Sequence, residues 1–387
     1  MFSCLARIAP ACWRTVSQCA CMNKDNNNSN NDEALWCRDL EKHSYGDFSF
    51  AVGQGNEVIE DHSEVETGKE ATFVGVYDGH GGPDASRFIS DHLFQNLIRL
   101  ARANGDTISE DILRSAVSAT EDGFLTLVRR TCGIKPLMAA IGSCCLVGVI
   151  WKGTLYIANL GDSRAVIGHL VRSNKIGRSS KIVAEQLTKD HNVSIEEVRQ
   201  ELGSIYPDYS NIVVMNYGQW RVKGVIQVSR SIGDAYLKRP ELSPDPSYPR
   251  FLLSEPIRLP VLTAEPSMCT RVLQPSDKFV IFASAGLWKC LTNQQAVEIV
   301  FKYPRAGIAK RLIKTALNKA ARKSKMRYDD VKKVEKRIIR RLFLDDVTVV
   351  VIFIDHESPP LGAKISVPEQ SVRGFVDSAG PSNFNIM

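Results

Sequence analysis

The chain has 387 residues, 44% of them hydrophobic and 24% charged, with a formal net charge of +6. These proportions fit a globular protein with one large domain or two, and no run approaches the ~18 uninterrupted apolar residues of a membrane span, so a soluble or peripherally attached chain is expected. Its ten cysteines lack paired CxxC spacings and sit mostly in apolar runs. That argues against a disulfide framework or zinc site and for a reduced, intracellular setting, with cytoplasm, nucleus and inner face of the plasma membrane not told apart.

Residues Met1 to Met22 carry no acid, two arginines (Arg7 and Arg14) and four cysteines among small and apolar side chains. An organelle-targeting peptide, a cysteine-acylated membrane contact and an amphipathic extension all fit, with the last two favoured. An asparagine-rich tract, Asn26 to Asn31, cannot bury apolar surface and reads as a linker, and folding is expected to begin near Ser44. The expected division is an extension over 1–43, a folded domain over 44–356 and a disordered tail over 357–387.

Phe48 to Val52 reads as a strand, and the following Asn56 to Asp61 as a strand ending in two carboxylates. Paired acids there are costly unless solvated or bound to a cation. Phe73 to Tyr77 is an apolar run of strand length that stops at Asp78-Gly79-His80-Gly81-Gly82-Pro83. The glycines allow a sharp bend and close approach to a ligand, and Pro83 and Asp84 suit the first turn of a helix. Phe88, Ile89, Leu93, Leu97 and Leu100 then recur at helical spacing. Alone, Asp-Gly-His-Gly-Gly reads equally as a turn with an incidental histidine.

Asp106 to Arg130 is expected to form a second helix. Gly142 to Ile150 and Thr154 to Leu160 are expected to form a hairpin leading into Gly161-Asp162-Ser163-Arg164. A short helix is expected from Ile195 to Leu202. Phe279 to Ala283 reads as a strand opening onto Ser284-Ala285-Gly286-Leu287-Trp288-Lys289, with Leu287 and Trp288 in the core. Gln294 to Tyr303 and Ala306 to Arg322 read as amphipathic helices. The second begins a basic run that continues through Arg327 to Arg341, either a solvated face or a patch for acidic lipid or an acidic partner. No aromatic platform or nucleic-acid motif accompanies it, so no nucleic acid is expected. Val347 to Ile354 is a continuous β-branched run after Asp345-Asp346.

The expected architecture is α+β: a central antiparallel β-sandwich flanked by pairs of helices, with an active face at one end. Four acid-bearing corners stand out: Glu60-Asp61, Asp78-Gly79-His80, Asp162 and Asp345-Asp346. Carboxylates with little histidine or thiolate suit Mg²⁺ or Mn²⁺ rather than zinc. Two such ions about 3.5–4 Å apart activate water and neutralise a phosphoryl group.

These motifs resemble the protein phosphatase 2C family of metal-dependent protein Ser/Thr phosphatases, from about Ser44 to His356. Within it they resemble the plant group with a DGHGGP corner and an RVKGVIQVSRSIGDAYLK segment, here Arg221 to Lys238. The resemblance implies hydrolysis of phosphoserine and phosphothreonine in proteins by a metal-bridged hydroxide at a binuclear Mg²⁺/Mn²⁺ centre. It casts Asp78 as the carboxylate bridging both ions, the Gly79 carbonyl and Glu60 as ligands of one, and Asp345 as a ligand of the other. Asp61 would hold metal-bound water, Asp162 a third ion, and His80 would protonate the departing oxygen. Phosphoproteins are the implied substrates, with a small regulatory protein and a peripheral membrane contact as further partners and a monomer as the state.

Three positions depart from the family pattern. Ala285 stands where an aspartate ligates a core ion, Lys289 where an acid helps hold the third ion, and Asn56 where many members carry a phosphate-gripping arginine. The ammonium of Lys289 is expected to stand in for the third ion by pairing with Asp162, so that a weakened two-metal site with reduced activity survives. The alternative is a pseudophosphatase that binds phosphoproteins or a regulator. Asp190, His191, Arg230 and Asp234 are read as scaffold groups tying loops together.

Overall fold

The computed structural model describes residues 34–171, 180–207, 209, 211–244, 247–248, 251, 253, 257–323, 345–356 and 368–384. The cysteine-bearing amino terminus, the asparagine tract and the part of the basic run from Lys325 to Arg341 lie outside the described residues.

Val347 to Phe353 and Asp277 to Ala283 show how the sequence builds this fold. Val347, Val349, Val351 and Phe353 belong to one apolar cluster with Phe279, Ile281 and Ala283, whereas Val350, Ile352, Val280 and Phe282 belong to another. Alternate residues of a strand point to opposite faces, so a run apolar at every position marks a strand buried on both sides. Such strands need a second sheet on one face and helices on the other.

Both are present. In chain order the strands of the two main sheets are β1 Leu35–His43, β2 Gly46–Gly53, β3 His62–Thr67, β4 Ala71–Tyr77, β5 Cys145–Trp151, β6 Thr154–Leu160, β7 Arg164–Val171, β8 Lys181–Gln186, β9 Ser267–Val272, β10 Asp277–Ala283, β11 Val347–Phe353, β12 Gln370–Arg373 and β13 Gly380–Pro381. One sheet is ordered β1-β2-β11-β10-β7-β8 and the other β9-β6-β5-β4-β3-β12-β13, with every neighbouring pair antiparallel.

Helices α1 (Asp84–Ala103) and α2 (Glu110–Thr131) cover the second sheet, while α5 (Asn293–Lys302) and α6 (Ile308–Lys323) cover the first; between them in the chain come α3 (Glu196–Ile205) and the single turn α4 (Ala285–Trp288). Local signals fix several starts. Asp84 lies in the first turn of α1, the Ser109 hydroxyl accepts from Ile112 N in α2, and Thr292 and Gln295 form a capping box on α5. The expected sandwich with paired helices is therefore the observed fold. No helix among the described residues is long and apolar enough to cross a membrane.

Four expectations need correction. Residues 44 and 356 do not bound the fold: β1 precedes the first, and β12, within the span assigned to a disordered tail, pairs with β3. Polar strands at or next to a sheet edge bury one face at most, which hides them from composition. Glu60 and Asp61 lie at the start of β3 and not at the end of a strand. The run from Gly142 is interrupted: Cys144 N donates to Asp78 O at 2.9 Å, so Gly142–Ser143 leaves the main sheet and pairs with Gly79–His80.

The β3–β12 pairing also buries charge. Tyr77 Oη donates to Glu64 Oε1 at 2.8 Å, and Arg373 Nη2 lies 3.4 Å from Glu64 Oε2. Burial first, and then the charge of Glu66, pushes Glu64 from 4.5 up to about 8. The folded state thus holds this proton more tightly. The contribution to stability is complete below about pH 4.5 and is lost as pH rises to about 8. Glu64→Gln still accepts from Tyr77 but does not titrate, so its denaturation midpoint should lose that slope between the two values. Equal slopes in parent and variant would refute the assignment.

Candidate active site

The acids converge because the strands that carry them end together. Asp78 follows β4, Asp162 follows β6 by two residues, Asp61 precedes β3, and Asp345 lies two residues before β11. Asp78, Glu60, Gly79, His80, Asp162 and Asp345 all line one cleft of about 840 Å³, which Tyr217 and Arg221 of the hairpin Val213–Asn216/Gln219–Val222 also line. Asp61 is buried and bonded to Thr348 Oγ1 at 2.8 Å.

Two carboxylates are pushed up by their surroundings. Burial raises Asp61 well above the usual range, with Asp78 and Asp346 adding repulsion. Burial likewise raises Asp78 to about 7, with Asp345 and Asp162 adding to it and Lys289 and the Ala285 amide opposing. This is crowded negative charge at the base of a cleft, which a hard dication relieves.

The loop bearing Glu60 is pinned from the far side. Asp346 accepts from Gly55 N at 2.7 Å, Asn56 N at 3.0 Å and Glu60 N at 2.8 Å, and from Asn56 Nδ2 at 3.0 Å. Asn56 is buried and also reaches Glu60 Oε2 at 3.4 Å. It is a brace for the Glu60 loop and does not replace the phosphate-gripping arginine. Gly79 permits the same close packing, since a Cβ there would lie 2.3 Å from the Glu60 carbonyl oxygen.

His80 is held by a residue that the sequence reading assigned to scaffold. His80 Nε2 lies 2.8 Å from Asp234 Oδ2, which also accepts from Ser231 Oγ at 2.6 Å. The short ladder Gly79–His80, Gly142–Ser143, Ile232–Gly233 carries the two together. A Cβ on Gly142 would lie 2.2 Å from Asp234 Oδ2 and 2.6 Å from His80 Nε2, so glycine is required there. Asp234 itself adopts φ 48, and the turn is braced by Glu121, which accepts from Gly233 N and Lys238 Nζ. Burial would lower the His80 pKa, but the charge and hydrogen bond of Asp234 overcome it and raise it. No local pattern announces this pair, because 154 residues separate its members.

Asp190, His191 and Arg230 do tie loops together. Asp190 holds Arg164 through both carboxylate oxygens, His191 Nδ1 accepts from Gly161 N at 3.2 Å, and Arg230 Nη2 pairs with Glu201 at 2.7 Å. Asp162 bonds Asn192 Nδ2 at 2.7 Å. Lys289 does not pair with it: Lys289 Nζ lies 2.7 Å from Asp345 Oδ2. Ala285 N donates to Asp78 Oδ2 at 3.0 Å.

The residues fit one divalent ion beside Asp78, Glu60 and Gly79. They fit a second poorly, because Asp345 is engaged by an ammonium and position 285 offers no side-chain oxygen. Among the described residues, no three His, Cys, Asp or Glu side chains form a group able to hold an ion.

Comparison with known proteins agrees with this fold. The family described as protein phosphatase 2C matches residues 54–325. "Probable protein phosphatase 2C 68" of Arabidopsis thaliana is 64% identical over all of this chain and 99% of its own length. "Probable protein phosphatase 2C 25" of Oryza sativa subsp. japonica is 64% identical over all of this chain and 98% of its own. Among solved structures, serine-threonine phosphatase 2C from Toxoplasma gondii has a TM-score of 0.57 at 17% identity, covering 83% of this chain and 99% of that one. That likeness speaks for the fold. With a family match over most of its length and relatives near two-thirds identity, the chain belongs to the protein phosphatase 2C family, a family of metal-dependent protein serine/threonine phosphatases.

Proposed function

We propose that this chain hydrolyses phosphoserine and phosphothreonine in proteins in a Mg²⁺- or Mn²⁺-dependent reaction. The observation that carries the reading is the meeting of half-buried Asp78, buried Glu60 and the Asp234-held His80 in one cleft. A divalent ion bound there supplies positive charge for the phosphoryl oxygens and acidifies water for attack on phosphorus.

The chain's own residues do the rest. Asp78, Glu60 and the Gly79 carbonyl would hold the ion, and Asp61, anchored by Thr348, would orient water beside it. His80 would give its proton to the departing serine or threonine oxygen, while Asp234 keeps the ring charged and aimed. Arg221 and Lys223 line the same cleft and would meet the substrate phosphate with positive charge, a task that Asn56 does not perform.

Asp234→Asn keeps the shape and removes the charge. Burial is then opposed only by the weaker influence of the Asp78 and Glu60 charges, so the His80 pKa should fall and the alkaline limb of the kcat profile should move to lower pH. A loss of about tenfold or more in kcat with KM little changed is expected. An unmoved alkaline limb would refute the role of this pair.

A second reading rests on Ala285 and Lys289: a phosphoprotein-binding module without turnover. Hydrolysis of a phosphothreonine peptide by the purified chain, titrated with Mn²⁺ and Mg²⁺, separates the two. Turnover by the parent chain establishes the phosphatase, whereas turnover only by the double variant Ala285→Asp, Lys289→Asp establishes the binding module.

A further inference from the structure

The turn from Ala285 to Lys289 faces the acidic cleft with hydrogen-bond donors. Ala285 N donates to Asp78 Oδ2 at 3.0 Å, and Lys289 Nζ to Asp345 Oδ2 at 2.7 Å. Coordination of an ion demands the opposite polarity, lone pairs directed inward from several sides. On this flank one oxygen of Asp78 and one of Asp345 each accept from an N–H group, where a second ion would need them as ligands.

The backbone of the lysine is also tied down. Lys289 N donates to Ala285 O at 3.0 Å, and its carbonyl accepts from Lys323 Nζ at 3.1 Å, tying the turn to the end of α6. The side chain lies between the main cleft and a second one of about 700 Å³, and Asp162, Ala285, Lys289 and Asp345 line both. Its ammonium therefore stands at the junction, beside the acids that a second dication would need.

We infer that this centre holds a single divalent ion, on Asp78, Glu60 and the Gly79 carbonyl, and that the Lys289 ammonium is a tethered cation in place of the second. The inference rests on the phosphatase reading above and deepens it. A tethered ammonium carries one charge, cannot diffuse away and cannot activate water. It neutralises Asp345 and leaves the chemistry to one ion. A second ion must displace the ammonium from Asp345, bind without a carboxylate at 285 and sit beside a positive charge. Its affinity should fall at least about 100-fold below the first, the upper end of what losing even an indirect ligand contact costs.

The test is a count of Mn²⁺ ions per full-length chain by equilibrium dialysis, with free Mn²⁺ read by its electron paramagnetic resonance signal, alongside phosphopeptide hydrolysis. One ion is expected for the parent chain and two for Ala285→Asp, Lys289→Asp. The parent count stands even if the double variant fails to fold, which thermal unfolding would reveal. Two tight ions in the parent overturn the inference and leave the phosphatase reading intact. One ion without turnover supports the inference while the phosphatase reading falls. No ion and no turnover overturn both, and a folded double variant that still binds one ion overturns the role given to Lys289.

Discussion

Asp78→Asn is expected to lower metal-dependent phosphopeptide hydrolysis by at least about 100-fold while leaving the fold intact. Asp78 is the acid on which the other groups converge, with Asp345, Asp162, Lys289 and the Ala285 amide all acting on it. Asparagine keeps an oxygen to accept from Ala285 N but loses the charge that attracts a dication. Losing indirect contacts to a bound ion already costs about 10–100-fold, and a direct ligand costs at least as much.

Stability should move the other way or not at all. Burial raises the Asp78 pKa to about 7, so the ionised group is held at a cost near neutral pH that asparagine does not incur. A loss of turnover with an unchanged or raised denaturation midpoint is the expected signature of a group kept for function. A variant that retains turnover would remove Asp78 from the reaction, and one that loses both together would make it a folding residue.

The second large effect concerns the carboxy-terminal strands. A chain ending at residue 367 should be less stable by about 3–6 kcal/mol, from the lost burial of Val372 and Phe384 at about 1.5–3 kcal/mol each. Val372 is fully buried against β3, and Phe384 packs edge-on against Phe94 of α1 with ring centroids 5.2 Å apart. Truncation also strips Arg373 from Glu64 and leaves β3 as a bare edge, which favours aggregation. Because β3 begins one residue after Asp61, its fraying should loosen the water-orienting carboxylate and lower turnover as well. A guanidinium midpoint within error of the full chain would show that these strands contribute little.

The same strands show why composition misled. Pro, Ser and Gly dominate the stretch after His356, and Gln370–Arg373 offers one apolar side chain, Val372, to the sheet. Its partner β3 lies some 300 residues earlier in the chain, and its polar sequence conceals Glu64 and Glu66, which are buried. Tyr77 and Ser371 hydrogen-bond those carboxylates and Arg373 lies within ion-pair distance of Glu64, and no neighbour in sequence hints at it. Strand β1 was hidden likewise by its charged, half-exposed outer side.

What the sequence by itself determined was local. The β-branched runs marked strands buried on both faces, helical spacing marked α1, α2, α5 and α6, and acids at the ends of apolar runs marked the face where chemistry gathers. Each is legible because strand and helix periods, capping and turn preferences act over a few residues. The tertiary structure alone decided which polar groups meet. It set Asp234 against His80 across 154 residues, sent Lys289 to Asp345 across 56 rather than to Asp162, and turned Asn56 inward to brace Glu60. Those contacts follow from strand register and the path of one turn, which many distant pairings settle together and no short stretch encodes.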